Sequence, residues 1–321
     1  MNREIESSKP PVSQARCATA IAPPTVGNVA VGFDMLGHAL QGQGDRVTIT
    51  RTDRGCIRIT AISGAVTSLP TNPQSNTAGL ALLTLLQACP QGTGFDIEIE
   101  KGIALGSGMG GSAASAAAAV MAANATLETP LDFGLLYHAA KQGESAASGS
   151  AHGDNVAPAL LGGLVIAPTE GIPIRVPVPT WLHAAVVRPH LQLNTRESRA
   201  VLQAPYELAT FVHQSEHLAL LLAGCYTSDA SLIRRGLRDV LVEPRRAQLI
   251  PGFARVQQAA MDSKALGASI SGAGPSVFGW FESREAAQSA AAAMQHAFHD
   301  AGLGSDPLVS EVNAPGTQVI A

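Results

Sequence analysis

The 321-residue sequence predicts an α/β or α+β protein on three observations. Strand-like runs that alternate apolar and polar residues are interleaved with helix-like runs. Thirty-two glycines and twenty prolines supply the turns between them. Hydrophobic residues reach 46% while aromatics are only 4%, so a core must be built from Ala, Leu, Val and Ile. The length is enough for two ordinary domains.

In chain order, MNREIESSKPPVSQA (1–15) is polar, holds two prolines and lacks the apolar stretch of a signal peptide; it is expected to be a loose arm. DRVTITRT (45–52) and GCIRITAI (55–62) alternate and are separated by a short turn, which predicts a hairpin. Asn76 or Thr77 suits the cap of a helix running to Ala88. GFDIEIEKGI (94–103) reads as a strand that delivers the chain into GSGMGGS (106–112). Ser112–Asn124 is nearly all alanine and predicts a helix able to lie very close to its neighbours. Leu131–Lys141 predicts another, and residues 148–168 a loop followed by an apolar strand. PTEGIPIRVPVP (168–179) marks a boundary, which divides the chain into domains at 16–175 and 176–321. In the second half, WLHAAVVRP is strand-like and 206–242 helical. Two strands flank the glycine turn of 265–281, and 283–302 is a helix ending at glycine. Strand–helix–strand–strand–helix–strand suits a ferredoxin-like α+β layout.

Composition narrows the function. Net charge is −4, charged residues are 14%, and no basic stripe stands out, which argues against nucleic acid as a partner. Cys17, Cys56, Cys89 and Cys225 are far apart without a CxxC pair, so neither a disulfide framework nor a zinc site is expected, and the default setting is the cytoplasm. The longest apolar run, 78–88, is too short to span a bilayer, so no membrane partner is expected.

Four glycines in six residues, directly before an alanine helix, predict an anion site. Glycine lets the backbone approach closely, and a helix N-terminus favours negative charge. Phosphate is the expected guest, held by Leu105, Gly106, Ser107, Gly108, Met109, Gly110, Gly111 and Ser112. The Walker pattern fails because no lysine follows. GxGxxG matches at Gly106, Gly108 and Gly111 with Glu128 near the acidic position, but the next segment reads as helix where a dinucleotide fold needs a strand.

Three stretches together, APPTVGNVAVGFDMLG (22–37), the glycine loop with Ser112, and SISGAGPSVFG (269–279), resemble the three motifs of the GHMP kinases. The resemblance covers residues 16 to 321. Within that family VGFDMLG (31–37), GESAASGSAHGDNVAP (143–158), NTRESRAVL (194–202) and DVLVEPRRAQLIPGF (239–253) are similar to the branch that phosphorylates homoserine. The loop departs from the usual pattern at Ala104, Met109 and Gly111. The resemblance implies the α+β GHMP kinase fold: an N-terminal α/β domain with the phosphate loop and a C-terminal ferredoxin-like domain. It implies ATP and Mg2+, transfer of phosphate to the side-chain hydroxyl of L-homoserine, a homodimer, and inhibition by threonine.

Residue by residue, it implies that Ser112 and Glu144 bind magnesium. Arg199 and Arg246 take the substrate carboxylate, with Arg245 as the alternative register, and Asp34 takes the ammonium. Asn28, His152 and Asn155 complete the substrate site. Asp154 stands where mevalonate kinases place an aspartate proposed as base, although a loose transition state asks little of a base. Asn76 caps its helix or contacts the nucleotide. SGAGPS (271–276) is expected to act through its backbone. The plain alternatives are an N-cap for Ser112, a solvated helix end for Glu144, an Asx turn for Asp154 and Asn155, and surface ion pairs for the arginines. Rival functions are a GHMP kinase for another alcohol, such as mevalonate or a sugar, and an NAD-binding oxidoreductase.

Overall fold

The computed structural model describes residues 15–203 and 205–320; the arm expected at the N-terminus lies almost wholly outside them. The first half runs β1 (Cys17–Ala22), β2 (Thr25–Gly27), β3 (Leu36–Ala39), β4 (Asp45–Thr52), β5 (Ile57–Gly64), α1 (Thr77–Leu85), β6 (Gly94–Lys101), α2 (Gly111–Ala125), α3 (Phe133–Ser148), α4 (Val156–Leu161), β7 (Leu164–Ile166) and β8 (Ile174–Val176). The second runs β9 (His183–Pro189), α5 (Thr195–Ala200), α6 (Leu208–Thr227), α7 (Ala230–Gly236), α8 (Glu243–Arg246), α9 (Phe253–Asp262), β10 (Gly267–Ile270), β11 (Val277–Phe281), α10 (Arg284–Asp300), β12 (Ser305–Glu311) and β13 (Gln318–Ile320).

Among the described residues the strands form three sheets, ordered β13-β1-β4-β6-β5, β2-β3-β7-β8 and β10-β11-β9-β12. The expected hairpin of β4 and β5 does not form. Both strands exist, but β6 lies between them, antiparallel to β4 and parallel to β5. Parallel neighbours need a crossover, and α1 supplies it. Phe95, Ile97 and Ile99 of β6 are buried, which suits a strand flanked on both edges. The residues after Asn155 form the short helix α4 before β7, where a loop was expected. Pro158 sits in its first turn, where a missing N–H breaks no helical bond.

Helix α2 is buried on nearly every side: Ala113, Ala114 and Ala116–Ala119 are fully enclosed. A helix apolar all round must be covered all round. It packs on β1 and β4 and carries α1 and α3 above it. The methyl side chains let these layers close without large gaps, and they hold the loop before α2 on a rigid base.

The second half has the ferredoxin-like order, with α9 and α10 on one face of its sheet. Side chains alternate between two cores: Ala184 and Val186 of β9 join the first, while Ala185 and Val187 join the second with α9 and α10. Burial on both faces accounts for the unbroken apolar runs in β9 and β11. The chain does not stay in this half: β13 returns to pair antiparallel with β1, so residues 318–320 belong to the first sheet.

His38 of β3 and Trp280 of β11 join the halves. The Trp280 indole donates to His38 Nε2 at 3.2 Å, and His38 Nδ1 donates to the Ala39 carbonyl at 2.9 Å. An indole only donates, so the ring is neutral with its proton on Nδ1. Burial pushes the His38 pKa down to about 4, against a smaller upward effect of the bond to Ala39. Below pH 6.5 the unfolded chain takes up a proton that the folded one refuses. Stability is therefore expected to fall between pH 6.5 and 4, by up to about 3 kcal/mol from this residue. Urea unfolding at stepped pH checks this, with His38→Gln as the variant lacking the titration.

Candidate active site

The glycine loop leaves β6 and turns through Gly106, Gly108 and Gly110 at φ of 61°, 75° and 66°, in the left-handed region that favours glycine. Gly110, not Ser112, is the N-cap of α2. Six successive carbonyls are tied down. Gly106 O accepts from Leu193 N at 3.1 Å, Met109 O from Thr25 N at 3.1 Å, and Gly110 O from Ala114 N at 2.9 Å. Ser107 O accepts from Ser276 Oγ at 2.7 Å and Gly108 O from Ser271 Oγ at 2.7 Å. Gly111 O accepts from Lys101 Nζ at 2.7 Å. With its acceptors engaged by the protein, the loop leaves its N–H side for the cavity, which is what an anion needs. The SGAGPS segment thus supports the loop through two serine hydroxyls, where backbone contact alone was expected.

The cavity has a volume of about 600 Å³. Leu105, Gly106, Ser107, Gly108, Gly110, Gly111 and Ser112 line it, and so do Asn76, Glu144, Asn28, Asp34, His152, Asp154, Asn155, Arg199 and Arg246. Met109 is the exception. Its side chain is buried in the hydrophobic core, its N–H donates to Ser107 Oγ at 3.3 Å and its carbonyl accepts from Thr25 N, so the phosphate role expected of it is not supported. Asn76 caps α1, accepting from Ala78 N at 3.1 Å and Gly79 N at 3.2 Å, and also lines the cavity.

Ser112 Oγ donates to Glu144 Oε1 at 2.9 Å, which joins the first turn of α2 to α3. Glu144 is not at a solvated helix end; it lies within α3, partly buried. Its pKa is raised to about 7, first by burial, against the Ser112 bond and Lys101, with Asp154 adding to the rise. No cluster of three or more His, Cys, Asp or Glu able to hold a metal occurs among the described residues. Magnesium needs only one or two protein oxygens beside phosphate and water, and the Ser112–Glu144 pair beside the loop fits that requirement.

At the other end of the cavity Arg199 binds Asp34 through two parallel bonds, Nη1 to Oδ2 at 2.9 Å and Nη2 to Oδ1 at 2.8 Å. His152 Nδ1 lies 3.4 Å from Asp34 Oδ2. The Phe33 ring lies under both guanidinium groups, 5.3 Å from Arg199 and 5.1 Å from Arg246. Arg199 Nε is buried with no hydrogen-bond partner among the described residues. Arg246, not Arg245, lines the cavity, and it is almost fully buried. Arg245 stacks on Tyr206 instead and donates to Leu202 O and Pro205 O.

Local geometry here is strained. Asn28, Val29 and Ala30 follow one another at φ of 66°, 38° and 57°, and Asp34 lies at 61°. Such runs of non-glycine residues are rare and cost free energy. The turn is held by Asn28, whose Oδ1 accepts from Asp34 N at 2.9 Å and whose Nδ2 donates to Gly272 O at 2.7 Å. Asp154 is buried beside it, held by Asn155 Nδ2 at 3.0 Å, while Asn155 Oδ1 accepts from Thr25 at 2.8 Å. Burial first, and then the charge of Asp34, raise the Asp154 pKa to about 7.

Residue patterns alone missed the network beneath the loop. Lys101 Nζ is paired with Asp45 and bonded to Ser115 Oγ at 2.8 Å, while Asp45 Oδ1 accepts from Gly102 N and Ile103 N at 3.1 Å each. A signal was present: Val47 and Ile49, like Phe95, Ile97 and Ile99, face the core, and the same alternation puts opposite charges inward at Asp45 and Lys101. The dinucleotide pattern fails in the structure, because α2 is followed by α3 and not by a parallel strand.

The chain belongs to the GHMP kinases: a family model of the GHMP kinases N terminal domain matches residues 76–163, and one of the GHMP kinases C terminal domain matches 221–300. Within that family it groups with proteins named homoserine kinase. One from Xanthomonas campestris pv. campestris is 54% identical over 100% of both chains. Another from Chlorobium phaeovibrioides is 44% identical over 92% of this chain and 97% of that one. The crystal structure of homoserine kinase from Cytophaga hutchinsonii superposes with a TM-score of 0.90 at 40% identity, covering 99% of this chain and 100% of the other.

Proposed function

We propose that this chain transfers the terminal phosphoryl group of ATP to the side-chain hydroxyl of L-homoserine, giving ADP and O-phospho-L-homoserine on the way to threonine. The observation that carries this is one cavity joining three features. They are an anion loop, an oxygen pair suited to magnesium, and a zwitterion site of Asp34 with Arg199 and Arg246. A neutral sugar would leave the two arginines without a carboxylate to bind. Residues 16–175 supply the nucleotide loop as one domain, and the arginines come from 176–321.

The loop amides of residues 105–112 other than Met109 hold the phosphate tail, and the helix start at Gly111 adds its favourable field. Mg2+, when bound at Ser112 and Glu144, neutralises charge on the phosphate oxygens. Arg199 and Arg246 orient the amino-acid carboxylate and Asp34 its ammonium, with Asn28, His152 and Asn155 closing the site. Alignment of this kind supplies most of phosphoryl-transfer catalysis. The substrate oxygen forms a bond to the γ-phosphorus as the bond to the bridging oxygen breaks. The hydroxyl proton leaves late, to a phosphate oxygen or to solvent. No helix among the described residues is long and apolar enough to cross a membrane, and the proposed setting is the cytoplasm, as a homodimer. Threonine shares the amino-acid head and a hydroxyl, so it should compete with homoserine.

Coupled ADP release across homoserine, mevalonate, galactose and shikimate tests the reading; turnover of homoserine alone supports it, and turnover of another alcohol in its place refutes it. Ser112→Ala is expected to lower kcat about 100-fold with an unchanged Tm. Unchanged turnover at saturating magnesium would remove Ser112 from the metal site.

A further inference from the structure

The segment DVLVEPRR carries Arg246 into the cavity, but its first residue, Asp239, has no place in the chemistry above. Asp239 is buried at 8% exposure. Its Oδ1 accepts from Leu241 N at 2.8 Å and Val242 N at 3.0 Å, and its Oδ2 from Glu243 N at 2.8 Å. Three bonds from one carboxylate fix the turn into α8, a helix of four residues too short to hold its own shape. Arg246 is its last residue. The guanidinium then donates to Ser198 O at 3.0 Å, next to Arg199, and to Gly272 O at 3.0 Å, the carbonyl that Asn28 also holds.

A second support meets the same turn from α6. Buried Gln214 accepts from Val240 N at 3.0 Å and donates to Val31 O at 3.3 Å, in the strained segment that ends at Asp34. Behind Arg246 lies a small cavity of about 10 Å³, lined by Asp239, Glu243, Asn28 and Ser269 among others. The carboxylate of Asp239 is therefore a buried anion behind the buried cation. The bonds of Asp239 described above all fall within 239–243, whereas the loop carbonyls are held by Leu193, Ser276, Ser271, Thr25, Ala114 and Lys101.

We propose that Asp239 is a positioning residue for the amino-acid substrate: it shapes the turn that aims Arg246 at the carboxylate, and it leaves nucleotide binding untouched. This rests on the reading that Arg246 binds the homoserine carboxylate. Loss of a capping carboxylate costs enough to weaken an aligned contact about tenfold.

The test is the dissociation constant for L-homoserine and, separately, for ATP with magnesium, on the full chain. Asp239→Ala is expected to weaken homoserine at least about tenfold and ATP less than about twofold. Asp239→Asn keeps an oxygen for Leu241 and Val242 but sets its NH2 against Glu243 N–H, so homoserine affinity should fall between the parent and the alanine variant while ATP stays within about twofold. If Asp239→Ala does not fold, Asp239→Ser, with one oxygen left, should show the same selective loss in smaller measure. Equal losses for both ligands, or an undiminished homoserine affinity in the alanine or serine variant, overturns the proposal. A parent protein that binds ATP but no homoserine refutes the functional reading instead.

Discussion

Asp154→Asn is expected to make the protein more stable at pH 8 and leave it nearly unchanged at pH 4. The folded-state pKa of Asp154 is raised from 3.8 to about 7, chiefly by burial. A carboxyl group of that kind stabilises the fold fully below its unfolded pKa, and the contribution is lost as pH rises through the folded one. Above pH 7 the native state holds a charge that water would hold better. Asparagine never acquires it. The ceiling on the difference is about 4 kcal/mol at pH 8, several degrees in Tm. Differential scanning calorimetry at pH 4, 6 and 8 reads it, and a variant equally or less stable at pH 8 refutes it. The same variant examines the chemistry. With the proton leaving late, kcat should fall less than about 100-fold. A greater fall with homoserine affinity kept would make Asp154 the general base.

Gly108→Ala should abolish most activity without unfolding the protein. A Cβ there would stand 2.6 Å from Gly274 O and 2.7 Å from Ser271 O, both backbone atoms, at a φ of 75°. Either the loop or the SGAGPS segment must shift. The bond from Ser271 to Gly108 O is the first to break, and the loop amides lose their aim. A displacement near 1 Å in a phosphate cradle costs about 100-fold in kcat/KM. Gly171→Ala is the control, since its φ is 90° but nothing lies within 4 Å. It should keep full activity. An active Gly108→Ala would mean that the loop does not hold the nucleotide.

Much of this was legible because the chemistry is carried by short contiguous stretches. Glycines before alanines suit an anion site, although alone they also fit a turn that merely packs a small-residue helix, and GESAASGSAHGDNVAP brings Glu144 and Asp154 into one short stretch. Periodicity found β4, β5, β6 and α10, because each buries one face. It could not say that β6 enters between β4 and β5, since strand order depends on a crossover and not on alternation. The Lys101–Asp45 pair escaped for a related reason. The alternation points both charges inward, but that they meet each other depends on the β4–β6 register, which alternation does not give. The choice of Arg246 over Arg245 likewise needed the turn at Asp239, which no periodicity predicts. The placing of residues 318–320 with the second half followed from sequence proximity, and β13 ignores it.

That last pairing bears on how the protein is made. Thr19 lies opposite Ile320, so β1 keeps one bare edge until residues 318–320 have been synthesised. The ferredoxin-like sheet also closes late, since Val187 of β9 lies opposite Val277 and Pro189 lies opposite Ser305. The phosphate-binding half, translated first, is expected to wait longest with an open edge, which is where a product lacking β13 would aggregate.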